Sequence, residues 1–347
     1  MTVPTNLHDI AGIAREDLRR TLRGARTVAL VNFPNHGNPG DPAIWLGSRA
    51  LLRDLGVRIA YSSAWWNFDR VSLRRAVGDA PVLVNGGGNL GDLYAGQQGT
   101  RLEILRSLRD NRIIQLPQSI HFANPENAQA MAQLISEHGG FELMVRERKS
   151  LRLAKDLLGL DATLSPDHAL ALGSLDGSHA PTRSVLWLAR RPGDPEYVPY
   201  DEPSDARVTR MEWLEGVSDS ERDWDRRGRL ALRFNGAAKN RRLRGPESRL
   251  WKTRAAYRAL SMTYPVLARR WVARGVGILT DAEVVITDKL HGHIMCVLLG
   301  KEHIVLDNSY GKVSGTLDAW TGTLPGVHRA TDGRDAMEQA VAILESR

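Results

Sequence analysis

The chain has a single cysteine, Cys296, in 347 residues, which excludes an intrachain disulfide and any metal site built on a cysteine cluster. It has no apolar run near the roughly 20 residues that a membrane-spanning helix needs. The first stretch, MTVPTNLHDIAGIAREDLRR, carries acids early and lacks an apolar core, so a signal peptide is not expected and a cytoplasmic location is. The turn Asn35–Asp41 (NHGNPGD) is not GxGxxG, so it carries no dinucleotide fingerprint, and HExxH is absent, which argues against a zinc-hydrolase helix. No solenoid-type repeat and no low-complexity tail is present. What remains is an ordinary soluble composition, 42% hydrophobic and 25% charged, long enough for about two domains.

The charge is unevenly spread. Lysine plus arginine number 47 against 40 acids, a net of +7. Between Lys239 and Arg274 stand 11 basic residues and one acid, Glu247, so this stretch is +10 and the remainder is 7 − 10 = −3. The basicity is a local patch.

Along the first half, short apolar runs alternate with helical patterns. Strands are expected at Arg26–Phe33, Arg58–Ser62, Pro81–Val84, Arg112–Leu116 and Leu143–Arg146. Helices are expected from Asp41 as N-cap to Leu55, over Asp69–Val77, from Asn124-Pro125, and over Lys149–Leu158. Gly173–Thr182 is polar and reads as a linker. After it come Ser184–Ala189 as a strand and a long irregular stretch. Regular alternation returns with strand Ala282–Thr287, helix Leu290–Leu299, strand His303–Leu306 and helix Arg334–Ser346. Such alternation argues an α/β fold of two Rossmann-like domains facing a cleft, over residues 1–175 and 183–347, with the terminal helix free to pack back on the first.

Four constellations stand at expected strand ends, where parallel sheets bind ligands. In Asn35–Asp41 (NHGNPGD), Asn38, Gly40 and Asp41 open a helix whose free N–H groups suit an anion; a tight capped turn explains them equally well. In Asn85–Asp92, three consecutive glycines (Gly86, Gly87, Gly88) before Asn89 cost backbone entropy and favour a ligand-facing loop over packing. Gln115–His121 puts His121 at a strand end, and Arg146 ends the next strand, where the plain alternative is a surface ion pair. The densest pair is Thr287–His293 (TDKLHGH) and Asp307–Lys312 (DNSYGK). His291 and His293 are two apart and do not share a helix face, so zinc is not expected. Lys289 with a histidine at a helix start reads as an anion site with a proton donor.

Together with PQSIHF (Pro117–Phe122), RERKS (Arg146–Ser150) and SPDHAL (Ser165–Leu170), these strings resemble the polysaccharide pyruvyl transferases, in the family's order from Gly37 to Lys312. The resemblance implies a fold similar to B-type glycosyltransferases and transfer of an enolpyruvyl-derived group from phosphoenolpyruvate to a sugar as a pyruvate ketal, with no cofactor. It implies that His291 matches the catalytic histidine and Arg146 the donor-binding arginine. Lys289 stands where the family commonly has arginine, which keeps the charge and loses the bidentate fork. Asn38, Gly40, Asp41, Gly86, Gly87, Gly88, Asn89, His121, Leu290, His293, Ser309, Tyr310 and Lys312 are then candidate substrate contacts, with Arg190 as a further cation.

Three readings are open at this point: a pyruvyl transferase, a glycosyltransferase of the same architecture with a nucleotide-sugar donor, and a catalytically silent binding relative. Trp251, Tyr257, Tyr264 and Trp271 are interleaved with the basic residues of 239–274, a composition suited to an anionic membrane surface and a lipid-linked acceptor. A helix packing those aromatics inward is the plainer account. No nucleic-acid reader motif accompanies the patch, and a nucleic-acid partner is not expected.

Overall fold

The computed structural model describes residues 4–177, 180–201, 205–222, 224–244 and 254–346, so Ser178 and His179 of the expected linker and Trp251 of the basic patch lie outside the described residues. Side chains of 220 and 241–257, Tyr257 among them, are likewise outside. The first sheet comprises β1 (Thr27–Phe33), β2 (Arg58–Ala64), β3 (Val82–Val84), β4 (Gly87–Gly91), β5 (Ile113–His121), β6 (Phe141–Val145) and β7 (Thr163–Leu164). All are parallel, in the order β2-β1-β3-β5-β6-β7, with β4 also on β5. Its helices are α1 (Leu7–Leu22), α2 (Gly40–Asp54), α3 (Arg70–Val77), α4 (Ala95–Ser107), α5 (Pro125–His138) and α6 (Arg148–Leu158). The second sheet is parallel too, ordered β12-β11-β10-β8-β9 from β8 (Arg183–Leu188), β9 (Val208–Met211), β10 (Ala282–Thr287), β11 (His303–Val305) and β12 (Val327–Arg329). With it run α7 (Val217–Arg222), α8 (Arg226–Arg244), α9 (Arg254–Thr280), α10 (Leu290–Leu299), α11 (Lys312–Thr316) and α12 (Gly333–Glu345). The chain is thus α/β with two Rossmann-like sheets.

Local chemistry accounts for most boundaries. Central strands such as β1 and β10 are almost wholly buried, as continuous apolar runs in parallel sheets must be. Asp69, Asn124 and Asp332 cap α3, α5 and α12 by accepting from backbone N–H groups in the first turn. Asp41 does not cap α2 as expected. That helix starts at Gly40 behind Pro39 with no side-chain cap, and the Asp41 carboxylate instead lies 3.1 Å from His36 Nε2.

The triple glycine is also not a loop. Gly87–Gly91 runs as β4 along β5, extending the line of β3 after a break at Asn85-Gly86. The break faces Pro117, which cannot donate to a ladder and sits inside β5. A Cβ on Gly86 would come 2.6 Å from the Pro117 carbonyl oxygen, so the two chains approach as glycine alone allows. Side-chain amides fill the gap: Gln115 Nε2 donates to Val84 O and Asn85 O, and Gln118 Nε2 to Asn85 O.

Helix α9 crosses between the halves. It lies within the second half in sequence, between β9 and β10, yet Tyr264, Leu267 and Trp271 join the core of the first sheet. The Tyr264 ring stacks on Phe33 with centroids 4.3 Å apart and meets Trp45 edge-on. α12 does not pack back on the first sheet: Ala336, Met337 and Ala340 join Val185, Val284 and Ile304 of the second.

Candidate active site

A cleft of about 550 Å³ lies between the carboxyl ends of the two sheets. The first half contributes His36, Asn38 and Asp41 after β1, Gly88 and Asn89 of β4, Tyr94 and Gln97, and Arg146 after β6. The second contributes Arg190 to Glu196 after β8, Glu212 to Leu214 after β9, Lys289 to His291 after β10, and Lys312 at the start of α11. Five basic side chains and four carboxylates line it, since Arg146, Arg190, Arg191, Lys289 and Lys312 stand against Asp41, Asp194, Glu196 and Glu212.

Arg146 is the anchor of the first wall. Its side chain is 1% exposed; Nη1 is 2.7 Å from Asp167 and Nε donates to Ser119 Oγ at 2.8 Å. Trp320 Nε1 donates to its carbonyl oxygen, so the residue is held from both halves. A Cβ on Gly88 would lie 3.1 Å from Arg146 Nη2 and 3.6 Å from Lys312 Nζ. The missing side chain therefore leaves a backbone-floored gap between two cations, the size and charge of an anion's seat.

Asp167 ties this anchor to the candidate acid. The same carboxylate oxygen that takes Arg146 Nη1 lies 3.4 Å from His291 Nε2. Burial alone would raise the Asp167 pKa, but the hydrogen bond and charge of His291, together with Arg146, hold it well below the usual carboxylate range. His291 is pressed from its other side by α2: a Cβ on Gly40 would come 2.4 Å from its ring. Gly40 is in place because the imidazole occupies the space that a side chain there would take.

Glu196 organises the second wall. It is 2% exposed, pairs with both Arg190 and Lys312, and accepts from Tyr310 Oη at 3.1 Å. Burial pushes it up, yet Lys312 and Arg190 outweigh this and hold it at about 2. Lys312 is pressed down to about 8, by burial first, with Arg190 and Arg146 adding to it and Glu196 opposing. Lys289 donates to Glu212 at 2.7 Å, and Arg190 N–H donates to Asp288. Each cation thus has a protein carboxylate in place of a ligand. Tyr94, at the rim, is pushed up to about 12 by burial and by Glu196 and Asp41. Burial likewise raises the Asp41 carboxyl, but His36 outweighs it and holds it at about 2.

The structure brings Asn38, Asp41, Gly88, Asn89, Arg146, Arg190, Lys289, Leu290, His291 and Lys312 into the cleft wall. Gly40 sits directly behind His291, and Gly86 and Gly87 shape the backbone beneath Gly88. Ser309 and Tyr310 act on Glu196 and its loop: Ser309 Oγ donates to Pro195 O, and Tyr310 to the carboxylate. His121 packs its ring on Tyr310, centroids 5.1 Å apart, one layer behind the cleft. His293 is not brought there. It is fully buried on the opposite face of α10, between His303 Nε2 at 2.8 Å and Thr321 Oγ1 at 2.7 Å.

Sequence reasoning missed Asp167, Glu196, Glu212 and Arg101. Arg101 is fully buried without a carboxylate partner; burial presses its pKa down to about 9, and Gln115, Gln98 and Asn89 oxygens accept its donors. It fixes Asn89 at the cleft floor. The acid inside SPDHAL was the available signal for Asp167. Among the described residues, no group of three His, Cys, Asp or Glu side chains is placed to hold a metal ion, and no helix is long and apolar enough to cross a membrane. Tyr264 and Trp271 of the basic stretch point into the core, as the plainer account of that helix has it.

Comparison with known proteins agrees with this geometry. The family model described as polysaccharide pyruvyl transferase matches residues 38–310. A Bacillus subtilis (strain 168) protein named "Putative pyruvyl transferase EpsO" is 29% identical over 301 residues, 86% of each chain. Pyruvyl transferase 1 of Schizosaccharomyces pombe is 29% identical over 328 residues, 90% of this chain and 74% of that one. In fold, the chain is similar to the crystal structure of an uncharacterised Klebsiella pneumoniae protein, with a TM-score of 0.55 at 18% identity over 91% of this chain and 96% of that one. With the match covering most of its length, the chain belongs to the polysaccharide pyruvyl transferase family.

Proposed function

We propose that the chain transfers the enolpyruvyl-derived group of phosphoenolpyruvate to two hydroxyls of one sugar, in a cell-surface polysaccharide or its lipid-linked precursor. The observation that carries this reading is the gap over Gly88 between Arg146 and Lys312, beside His291 in the same cleft. A near-trianionic donor needs cations and backbone floor at its phosphate and carboxylate, with a proton donor at its methylene carbon. His291 protonates that carbon, leaving an oxocarbenium-like centre at its neighbour. One sugar hydroxyl attacks this centre, inorganic phosphate departs, and the second hydroxyl closes the ketal. Of the two hydroxyl protons, one restores His291 and the other leaves with phosphate. Tyr94, Trp213 and Leu214 offer the sugar an apolar and aromatic wall across the cleft.

For an acceptor carried on a lipid, we assign contact with an anionic membrane to the basic residues of 239–274, and flotation with vesicles tests that part. The donor is tested by thermal unfolding with and without millimolar phosphoenolpyruvate, in wild type and Arg146→Ala. A ligand that binds the folded state alone adds roughly 2.7 kcal/mol at a hundred times its dissociation constant. Stabilisation in wild type and its loss in the variant are expected. Stabilisation by a nucleotide sugar and none by phosphoenolpyruvate overturns the reading in favour of a glycosyltransferase.

A further inference from the structure

A second recess lies away from the cleft and shares no lining residue with it. It measures about 390 Å³ and lies between edge strand β2 (Ile59 to Ser62), α2 (Arg49), α8 (Arg227) and α9 (Ser261, Met262, Pro265, Val266, Arg269). Arg49 is nine residues into α2 from Gly40, about 14 Å along the helix at roughly 1.5 Å per residue.

Its charge is uncompensated. Arg49, Arg227 and Arg269 line the recess, no acid does, and none of the three makes an ion pair or hydrogen bond among the described residues. The neighbouring arginine differs: Arg270, beside Arg269, pairs with Asp225. Three guanidinium groups around one hollow repel one another, and Arg49 is pressed below its ordinary pKa by burial and by Arg269. Ser62, 5% exposed, lines the same hollow; its backbone is paired in the β1–β2 ladder, and its hydroxyl has no side-chain hydrogen bond among the described residues. An unused hydroxyl beside three unpaired guanidinium forks is a donor set for a tetrahedral oxyanion. The apolar part of the wall is as distinctive. Met262, 74% exposed, and Pro265 flank the arginines, so an anion seated there has a hydrophobic shelf next to it.

We infer that this recess binds a phosphate or diphosphate group whose organic portion lies along Met262 and Pro265. The shared chemistry belongs equally to a phospholipid headgroup or to a free phosphorylated molecule. The inference does not rest on the proposed reaction, because its residues lie outside the cleft.

Arginine labelling by phenylglyoxal, read residue by residue by mass spectrometry, tests it on the full chain. Inorganic pyrophosphate at about ten times its dissociation constant is expected to slow labelling of Arg49, Arg227 and Arg269 roughly tenfold, since protection follows 1 + [L]/Kd. Arg222, exposed and paired with Asp219 on the surface, is the unprotected reference. Arg269→Glu, at an exposed position, is expected to abolish protection of Arg49 while leaving the unfolding midpoint unchanged. Vesicles of phosphatidylglycerol that protect the same arginines and float wild type, but not Arg269→Glu, identify a lipid phosphate. Protection by pyrophosphate without flotation identifies a soluble one. Protection by neither, or protection matched by chloride at equal ionic strength, overturns the inference.

Discussion

Gly40→Ala is the smallest change that separates chemistry from binding in this cleft. The backbone of Gly40 is helical and free of positive φ, so alanine meets no backbone strain. Its methyl group, however, would sit 2.4 Å from His291 Cγ and Nδ1, where ordinary contact begins at 3.4 Å, so the ring must recede by 3.4 − 2.4, about 1 Å. A displacement of that size at a reacting group costs on the order of a hundredfold in rate. Arg146 keeps its bond to Ser119 and Lys312 its pairing with Glu196, neither of which involves His291, so donor affinity is expected to change less than turnover. Overpacking of this kind costs about 1–3 kcal/mol in stability. Gly99→Ala in α4, with nothing within 4 Å of its built Cβ, is the control and should be slightly stabilising. The assay is single-turnover phosphate release from phosphoenolpyruvate with a panel of sugar acceptors, beside donor-induced thermal stabilisation. Turnover within about threefold of wild type in a folded Gly40→Ala protein would refute the placement of His291 as the acid.

Asp167→Asn removes the nearer of the two buried carboxylates facing Arg146 and leaves only Glu147, 3.8 Å away, so it is expected to destabilise by less than the roughly 3–5 kcal/mol of a fully uncompensated buried charge, read from the denaturant midpoint. Donor affinity is expected to fall as pH rises through about 8, where Lys312 loses its proton, by at most tenfold per unit; in Lys312→Arg this limb should vanish, measured by donor titration at fixed salt. Acid should destabilise the fold early. Burial presses His168 and His303 down to about 4, so from pH 6.5 to 4 the unfolded chain binds protons that the folded one does not. Stability is whole above pH 6.5 and is lost through that window, by about 3 kcal/mol per histidine at 1.36 kcal/mol per pH unit. Chemical denaturation at pH 7 and 5 checks it, and equal midpoints would refute it.

The alternation of strand and helix was readable because parallel strands are buried on both faces and stand out as apolar runs. Arg146 and Lys289 to His291 were readable for a related reason: strand ends in such sheets converge on one crevice. What escaped depends on distance in sequence. Asp167 matters through Arg146 and His291, and Glu196 through Lys312, 116 residues away. No local pattern records such pairs. The triple glycine read as a loop and the strand before Pro117 as ending at Leu116, but two glutamine side chains supply the missing ladder bonds and keep both segments in the sheet. His291 and His293 stand in one string, and the two-residue step that the sequence already sets off a common helix face, at about 100° per residue, is what carries the second ring to His303 and Thr321.

The crossing of α9 onto the first sheet bears on how the chain is made. Phe33 and Trp45 are in place early, but Tyr264, which covers them, belongs to a helix that ends at Thr280. Between the end of β7 at Leu164 and that point lie 280 − 164 = 116 residues. At roughly 5–20 residues per second, the first sheet waits about 6–23 s on the ribosome with an aromatic face uncovered. A fragment ending at the linker would keep that face bare for good, and the first half is therefore expected to aggregate when expressed alone and to be rescued by co-expression of the second.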